Sequence, residues 1–300
     1  MGHDHSNSNN QVSGRKMAIA IVLNIFITIS QIIGGLISGS VALLSDALHN
    51  FSDVISLILS YITNRLAKKK STEQQTYGFK RAEILSAFIN SVTLIAIAIY
   101  LIVEAVERFI NPQVIDFNIV IVFASASVVI NLISVIILHK DSKGNMNIKS
   151  AYLHLLTDVM TSLAVVLGGF MMKYFEIYRI DSILSFLIAF YLIFSSYKLT
   201  IESIKILMQF TPNNLDIQNI CKDICSLEEI VNTHHVHLWQ LNDKDVFFEA
   251  HIDLQNDITI TDFQGVLIKI ENILDNYHIH HFNIQPEYNR KDNKDIIVEH

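Results

Sequence analysis

Ser40-Val-Ala-Leu-Leu-Ser-Asp46-Ala-Leu-His49-Asn-Phe-Ser-Asp53 opens one apolar stretch of the chain, and Tyr152-Leu-His154-Leu-Leu-Thr-Asp158 opens another. Each carries a histidine and an aspartate four positions apart, which on a helix means about 40° of rotation and about 6 Å of rise, so each pair points one way. Two such helices facing each other offer two imidazole nitrogens and two carboxylate oxygens, a tetrahedral set suited to Zn²⁺ and to similar divalent ions. One lone pair would fit an ordinary buried helix with local hydrogen bonds just as well. Duplication inside membrane-length segments shifts the balance, because an ionised carboxylate at mid-bilayer costs roughly 2.5–3.5 kcal/mol even on the mildest scale and is seldom kept without a function.

The surrounding composition supports a membrane setting. Of 300 residues 51% are hydrophobic and 17% charged, and the mean hydropathy is +0.37, too apolar for a wholly water-soluble protein of this size. Apolar runs near 17–37, 41–63, 84–103, 117–138, 151–172 and 180–200 are each about long enough to cross a bilayer. Basic residues flank alternate links: Arg15 and Lys16 before the first span, Arg65, Lys68, Lys69, Lys70, Lys80 and Arg81 after the second, Lys140, Lys143 and Lys149 after the fourth, and Lys198 and Lys205 near the end of the sixth. Positive residues mark the cytoplasmic side, which predicts both termini in the cytoplasm of a multi-pass cell-membrane protein. A net charge of −7 argues against a nucleic-acid partner.

Beyond the spans the pattern becomes that of a small water-soluble domain. Leu215–Cys225 reads as a helix, Ile230–Leu241 and Val246–Leu254 as strands joined by the turn Asn242–Asp245, Thr261–Leu274 as a helix capped by Thr259 or Thr261, and His280–Gln285 as a last strand. The expected fold is thus an α-helical membrane protein with six transmembrane helices plus a small cytosolic α+β domain of order α-β-β-α-β. The expected divisions are a tail at 1–16, the transmembrane domain at 17–205, and a cytosolic metal-binding and dimerisation domain at 206–300. Cys221 and Cys225, one turn apart, are too few for a disulfide framework and fit a reducing compartment. His3 and His5 fit either a metal-gathering tail or an incidental one.

Further polar groups line the spans. Asp46 precedes His49 by three positions and is a candidate for an entrance or supporting group. Asn24 and Gln31 fit helix-to-helix hydrogen bonding. Gly34, Gly35, Gly168 and Gly169 permit close helix approach, or ease sliding between helices.

These segments, together with Tyr77-Gly78, Arg81-Ala82-Glu83, Asp181-Ser-Ile-Leu-Ser and His234-His-Val-His237-Leu-Trp239, make the chain similar to the cation diffusion facilitator family over nearly its whole length, and in particular to its bacterial-type zinc-transporting members. The resemblance implies a six-span transporter with a cytosolic domain like that of copper chaperones (a ferredoxin-like fold), working as a homodimer that exchanges metal for protons. It assigns His49, Asp53, His154 and Asp158 to the transport site. It also points to a cytosolic metal cluster of His234, His251 and Glu287, with His280 a fourth candidate. Departures from the family pattern include Gln31 where many relatives carry an acid, Ser182 in place of a frequent proline, and no histidine between Arg65 and Lys80. Strand alternation predicts His235 and His237 on one face and His234 on the other. Trp239 reads as a packing anchor.

Charge accounting reaches a mechanism without the family name. Zn²⁺ with two aspartates and two neutral imidazoles is formally neutral, which limits the penalty of holding an ion within the bilayer. Once the ion leaves, protons are the natural replacement. Cobalt and cadmium suit the same donors, whereas Mn²⁺ prefers more oxygen. Two rival readings are an intramembrane metalloenzyme, which would want an open coordination position and a separate general base, and a metal-sensing receptor with the carboxy-terminal domain as detector.

Overall fold

The computed structural model describes residues 5–67, 69–139 and 146–298. His3, Lys68, Lys140, Lys143 and His300 lie outside the described residues, as do the side chains of His5, Arg15, Lys16 and Lys149. The chain divides into two compact units, residues 1–61 with 89–199 and residues 62–88 with 200–300.

Six long helices dominate the amino-terminal two thirds: α1 (His5–Ser38), α2 (Val41–Ala67), α3 (Ala82–Ile110), α4 (Phe117–His139), α5 (Met146–Phe175) and α6 (Arg179–Leu207). Each contains one of the apolar runs expected from sequence, and α1 continues back through polar residues to His5. Among the described residues five of them are both long and apolar enough to cross a membrane. The sixth, α2, carries Asp46, His49, Asn50 and Asp53 among its apolar residues.

Beside a buried apolar cluster that includes Leu43, Leu101, Val120 and Leu192, the bundle buries many polar groups and exposes large apolar ones. Gln31, Asp46, Asn50, Ser127, Asn131 and Ser162 are buried, while Val22, Phe26, Val103, Val122 and Phe194 are more than half exposed. Water would penalise that arrangement; hydrocarbon favours it, because helices surrounded by lipid associate through packing and interhelical hydrogen bonds instead of apolar burial. Gln31 donates to Asp46 Oδ2 (2.6 Å) and accepts from Asn50 (2.9 Å), tying α1 to α2 as expected. Asn24 instead accepts from Thr28 within α1 itself. Ser127 and Ser162 hydroxyls meet at 2.9 Å between α4 and α5.

Two local features set the helix spacing. Gly39 ends α1 in the left-handed region at φ 71°, where a Cβ would be strained, and lets the chain turn into α2. Gly34 lies so close to α4 that a Cβ there would sit 2.6 Å from Phe123 Cγ. Gly34→Ala is therefore expected to push α1 from α4 at a cost of about 1–3 kcal/mol, seen as a lower melting temperature of the detergent-solubilised protein. An unchanged or raised melting temperature would show that the approach is not tight.

The start of α2 is capped from afar. Asp181 on α6 accepts from Ser40 Oγ (2.5 Å) and from the backbone N–H groups of Val41 (2.9 Å) and Ala42 (3.4 Å). Ser40 Oγ in turn accepts from the Leu43 N–H at 3.0 Å. Donors that a helix N-terminus leaves without intrahelical partners are thereby satisfied.

The second unit contains α7 (Ile217–Ile224), β1 (Ile230–Gln240), β2 (Val246–Leu254), α8 (Ile260–Asn276) and β3 (His281–Glu287), the α-β-β-α-β order expected. The sheet order is β1-β2-β3, with β1 and β2 antiparallel and β2 and β3 parallel. The parallel pair needs a crossover, which α8 supplies. Thr259, one of the two expected caps, accepts from the Asp262 N–H at 3.2 Å. Asn242 Oδ1 closes the β1–β2 turn by accepting from the Lys244 and Asp245 N–H groups. Leu238, Phe248, Ala250 and Ile252 of the sheet pack on Ile220, Ile224, Val266 and Ile270 of the helices.

The opposite sheet face carries Trp239, stacked on Phe247 with ring centroids 4.5 Å apart, so Trp239 is a packing anchor. The segment between α2 and α3 closes over it: Tyr77 meets Phe247 edge-on, Arg81 lies over Trp239, and Lys80 pairs with Asp245 at 2.7 Å. Cys221 is buried in the core and Cys225 lies 3.3 Å from Thr233 Oγ1. Both are free thiols, and burial, helped by nearby Cys225 and Asp216, pushes the Cys221 thiol up to about 12, leaving it protonated and unreactive.

The expected alternation along β1 is corrected by a bulge. His234 pairs with His251 but His237 pairs with Glu249, three residues against two. His235, at φ 51°, absorbs the extra residue. That step puts His234 and His237 on one face, opposite His251 and Glu249, and stacks His235 on His251 at 4.5 Å.

Candidate metal centres

Helices α2 and α5 bring His49, Asp53, His154 and Asp158 together, each offering one ligand atom within 4.8 Å of all the others. The histidine-to-carboxylate separations are 3.1 Å for His154 Nε2 to Asp53 Oδ2, 3.5 Å for His49 Nε2 to Asp158 Oδ1, and 3.8 Å for each intrahelical pair. Four donors about 2.0–2.1 Å from one tetrahedral ion stand ~3.3 Å apart, so the observed spacings need only small shifts to close on a metal. His49 and His154 meet edge-to-face at 5.8 Å.

The wiring of these side chains also favours a cation. His49 Nε2 and both oxygens of Asp158 are buried without a hydrogen-bond partner, an arrangement that native interiors rarely leave uncompensated. Asp158 is fully buried, whereas the His154 side chain is 41% exposed, so the cluster is reachable from one side. Asp46 is not among the four. Its Oδ2 accepts from Gln31 and from Ser162 Oγ (2.7 Å), joining α1, α2 and α5 directly behind the donors.

A second group of metal-ligating side chains lies on the sheet of the carboxy-terminal unit: His234, His251, Glu287 and Asp292. His251 Nδ1 is 2.9 Å from Glu287 Oε1, and His234 Nε2 is 3.4 Å from Glu287 Oε2 and 3.9 Å from Asp292 Oδ2. Three of the residues expected from sequence meet here. His280 does not: it precedes β3 at odd spacing from Glu287, which puts it on the other face, and its Nδ1 lies 3.0 Å from Asp275 at an exposed position. Asp292, which sequence reading passed over, completes the set from the charged run after β3. Its one sequence signal is nearness to Glu287.

A bundle of membrane-length helices that exposes large apolar side chains and buries polar ones defines a multi-pass membrane protein, two of whose helices bring together groups of the kind that can hold a metal ion. The chain belongs to the cation efflux family, a family of transporters: residues 17–208 match the cation efflux transmembrane domain, and residues 212–289 match the cytoplasmic domain of cation efflux proteins. It is 35% identical to the cadmium, cobalt and zinc/H(+)-K(+) antiporter of Bacillus subtilis, covering 99% of this chain and 96% of the relative. It is 30% identical to the zinc transporter ZitB of Escherichia coli, covering 96% and 93%. It is 29% identical to the metal cation efflux system protein CzcD of Cupriavidus metallidurans, covering 96% and 90%.

Proposed function

We propose that this protein exports divalent metal, zinc foremost with cobalt and cadmium as further substrates, from the cytosol in exchange for protons by alternating access, using His49, Asp53, His154 and Asp158 as the transport site. The observation that carries the reading is the convergence of these four donors at near-tetrahedral spacing between two membrane-length helices. Four protein donors close the coordination shell, which suits binding and release of an ion and leaves no open position for activating water.

The exchange follows from charge. Zn²⁺ with ionised Asp53 and Asp158 and neutral histidines has no net charge, so the loaded site can cross between orientations at limited electrostatic cost. Releasing the ion leaves two negative charges, which two protons neutralise. The names of the relatives, which include zinc, cadmium, cobalt and H(+), support the same exchange. We assign both termini and the 206–300 domain to the cytoplasm, from the basic flanks Arg65, Lys69, Lys70, Lys198 and Lys205, and place two copies of the chain in a homodimer. The His234–His251–Glu287–Asp292 group is read as a regulatory metal site.

Purified protein in lipid vesicles tests the exchange. A pH gradient imposed across the membrane should drive zinc against its own gradient, and zinc movement should in turn shift the internal pH. Zinc flux indifferent to the gradient, with no accompanying proton movement, would remove the exchange. Running cobalt, cadmium and manganese beside zinc is expected to leave manganese the poorest substrate.

A further inference from the structure

The chain supplies its own cations to the cytosolic group. Lys294 Nζ lies 2.8 Å from Asp253 Oδ1, 3.1 Å from Glu287 Oε2, 2.5 Å from Asp292 Oδ1 and 3.4 Å from His234 Nε2. Arg290 reaches Glu287 Oε1 at 2.9 Å and Asp292 Oδ2 at 3.3 Å. Three carboxylates, Asp253, Glu287 and Asp292, thus face two side-chain cations, whose combined charge equals that of one divalent ion.

The backbone around Lys294 is docked as well. Asn232 Nδ2 donates to the Lys294 carbonyl (3.3 Å), and the N–H groups of His235 and Val236 donate to the carbonyls of Asp295 (3.1 Å) and Ile296 (2.8 Å). The two backbone donors, His235 and Val236, come from the bulge in β1, where they serve this segment in place of β2. Ile296 packs against the domain core.

We propose that Lys294 is a tethered competitor for metal at the His234–His251–Glu287–Asp292 group, and that a divalent ion binding there expels the ammonium and loosens residues 293–297 from the edge of β1. The inference rests on reading that group as a metal site. An ion about 2.0–2.1 Å from His234 Nε2 and Glu287 Oε2 would stand within ~4 Å of a nitrogen held 3.4 and 3.1 Å from the same two atoms, and at that separation the two positive charges repel. Ion and ammonium therefore compete for the same carboxylates. Metal affinity is set below what the donors alone would give, so the site fills when metal is in excess, and filling it changes the covering of the β1 edge.

The test uses the full-length protein in detergent with Asp53→Ala and Asp158→Ala, so that zinc binding reports on the cytosolic group. Competition against a chromophoric zinc chelator should show at least tenfold tighter binding after Lys294→Met. Equal or weaker binding overturns the competitor while leaving the metal site standing; no zinc binding in either form overturns the metal site itself. Adding His234→Ala should abolish the gain, and a gain that survives it would place the ion elsewhere and sink the proposal. Independently, zinc should speed hydrogen exchange in a peptide covering residues 230–240 of the Lys294 form. Unchanged or slower exchange there overturns the release of the segment.

Discussion

Zinc flux in vesicles should fall to background in Asp158→Ala, and nearly as far in His49→Ala. Loss of a partner that merely orients a ligand typically costs 10–100-fold in metal affinity, so removing a ligand outright should cost at least about 100-fold. Charge makes Asp158 the more severe case: without it the loaded site carries a net positive charge in a fully buried position, which the surrounding hydrocarbon disfavours. The fold should survive, because neither Asp158 carboxylate oxygen makes a hydrogen bond that holds helices together. Flux is therefore to be measured alongside melting temperature, and a well-folded Asp158→Ala protein that moved zinc at an undiminished rate would end the assignment of the site.

Asp181→Ala should instead be chiefly a stability variant. Its carboxylate accepts three bonds at the start of α2, two of them from backbone N–H groups with no other partner in the helix. Hydrogen bonds to a charged group contribute roughly 1.5–3 kcal/mol, and stranding buried donors adds to the loss, so about 3 kcal/mol or more is expected. Asp181→Asn, which keeps one acceptor oxygen, should lie between. The measurement is thermal unfolding in detergent, with flux normalised to folded protein. A shift no larger than that of an ordinary surface substitution would mean that α2 is held at its amino end by something else.

How legible these features were in the sequence follows from how local their causes are. The six spans could be read because about twenty apolar residues in a row have few other uses, and the clustering of His49, Asp53, His154 and Asp158 because four-residue spacing on a helix fixes a face. The sheet domain was legible for similar reasons: alternation marked β1 and β2, Asn242 marked their turn, and Thr259 marked the start of α8. What escaped depends on contacts distant in sequence or on unusual backbone. The Asp181 cap joins residues some 140 positions apart. The bulge at His235 uses a left-handed conformation that no glycine announces; the rings of His235 and His237 do meet, at 5.3 Å, but simple alternation misassigns the face of His234. His280 enters through the family resemblance, whereas Asp292 and Lys294 sit in a run of charges that resembles any solvated tail.

The clasp between the α2–α3 link and the sheet, through Tyr77, Lys80 and Arg81 on Phe247, Asp245 and Trp239, has a mechanical meaning. Helix α2 runs into that link and also bears His49 and Asp53. The link is thus both the continuation of α2 and a strap across the aromatic face of the sheet.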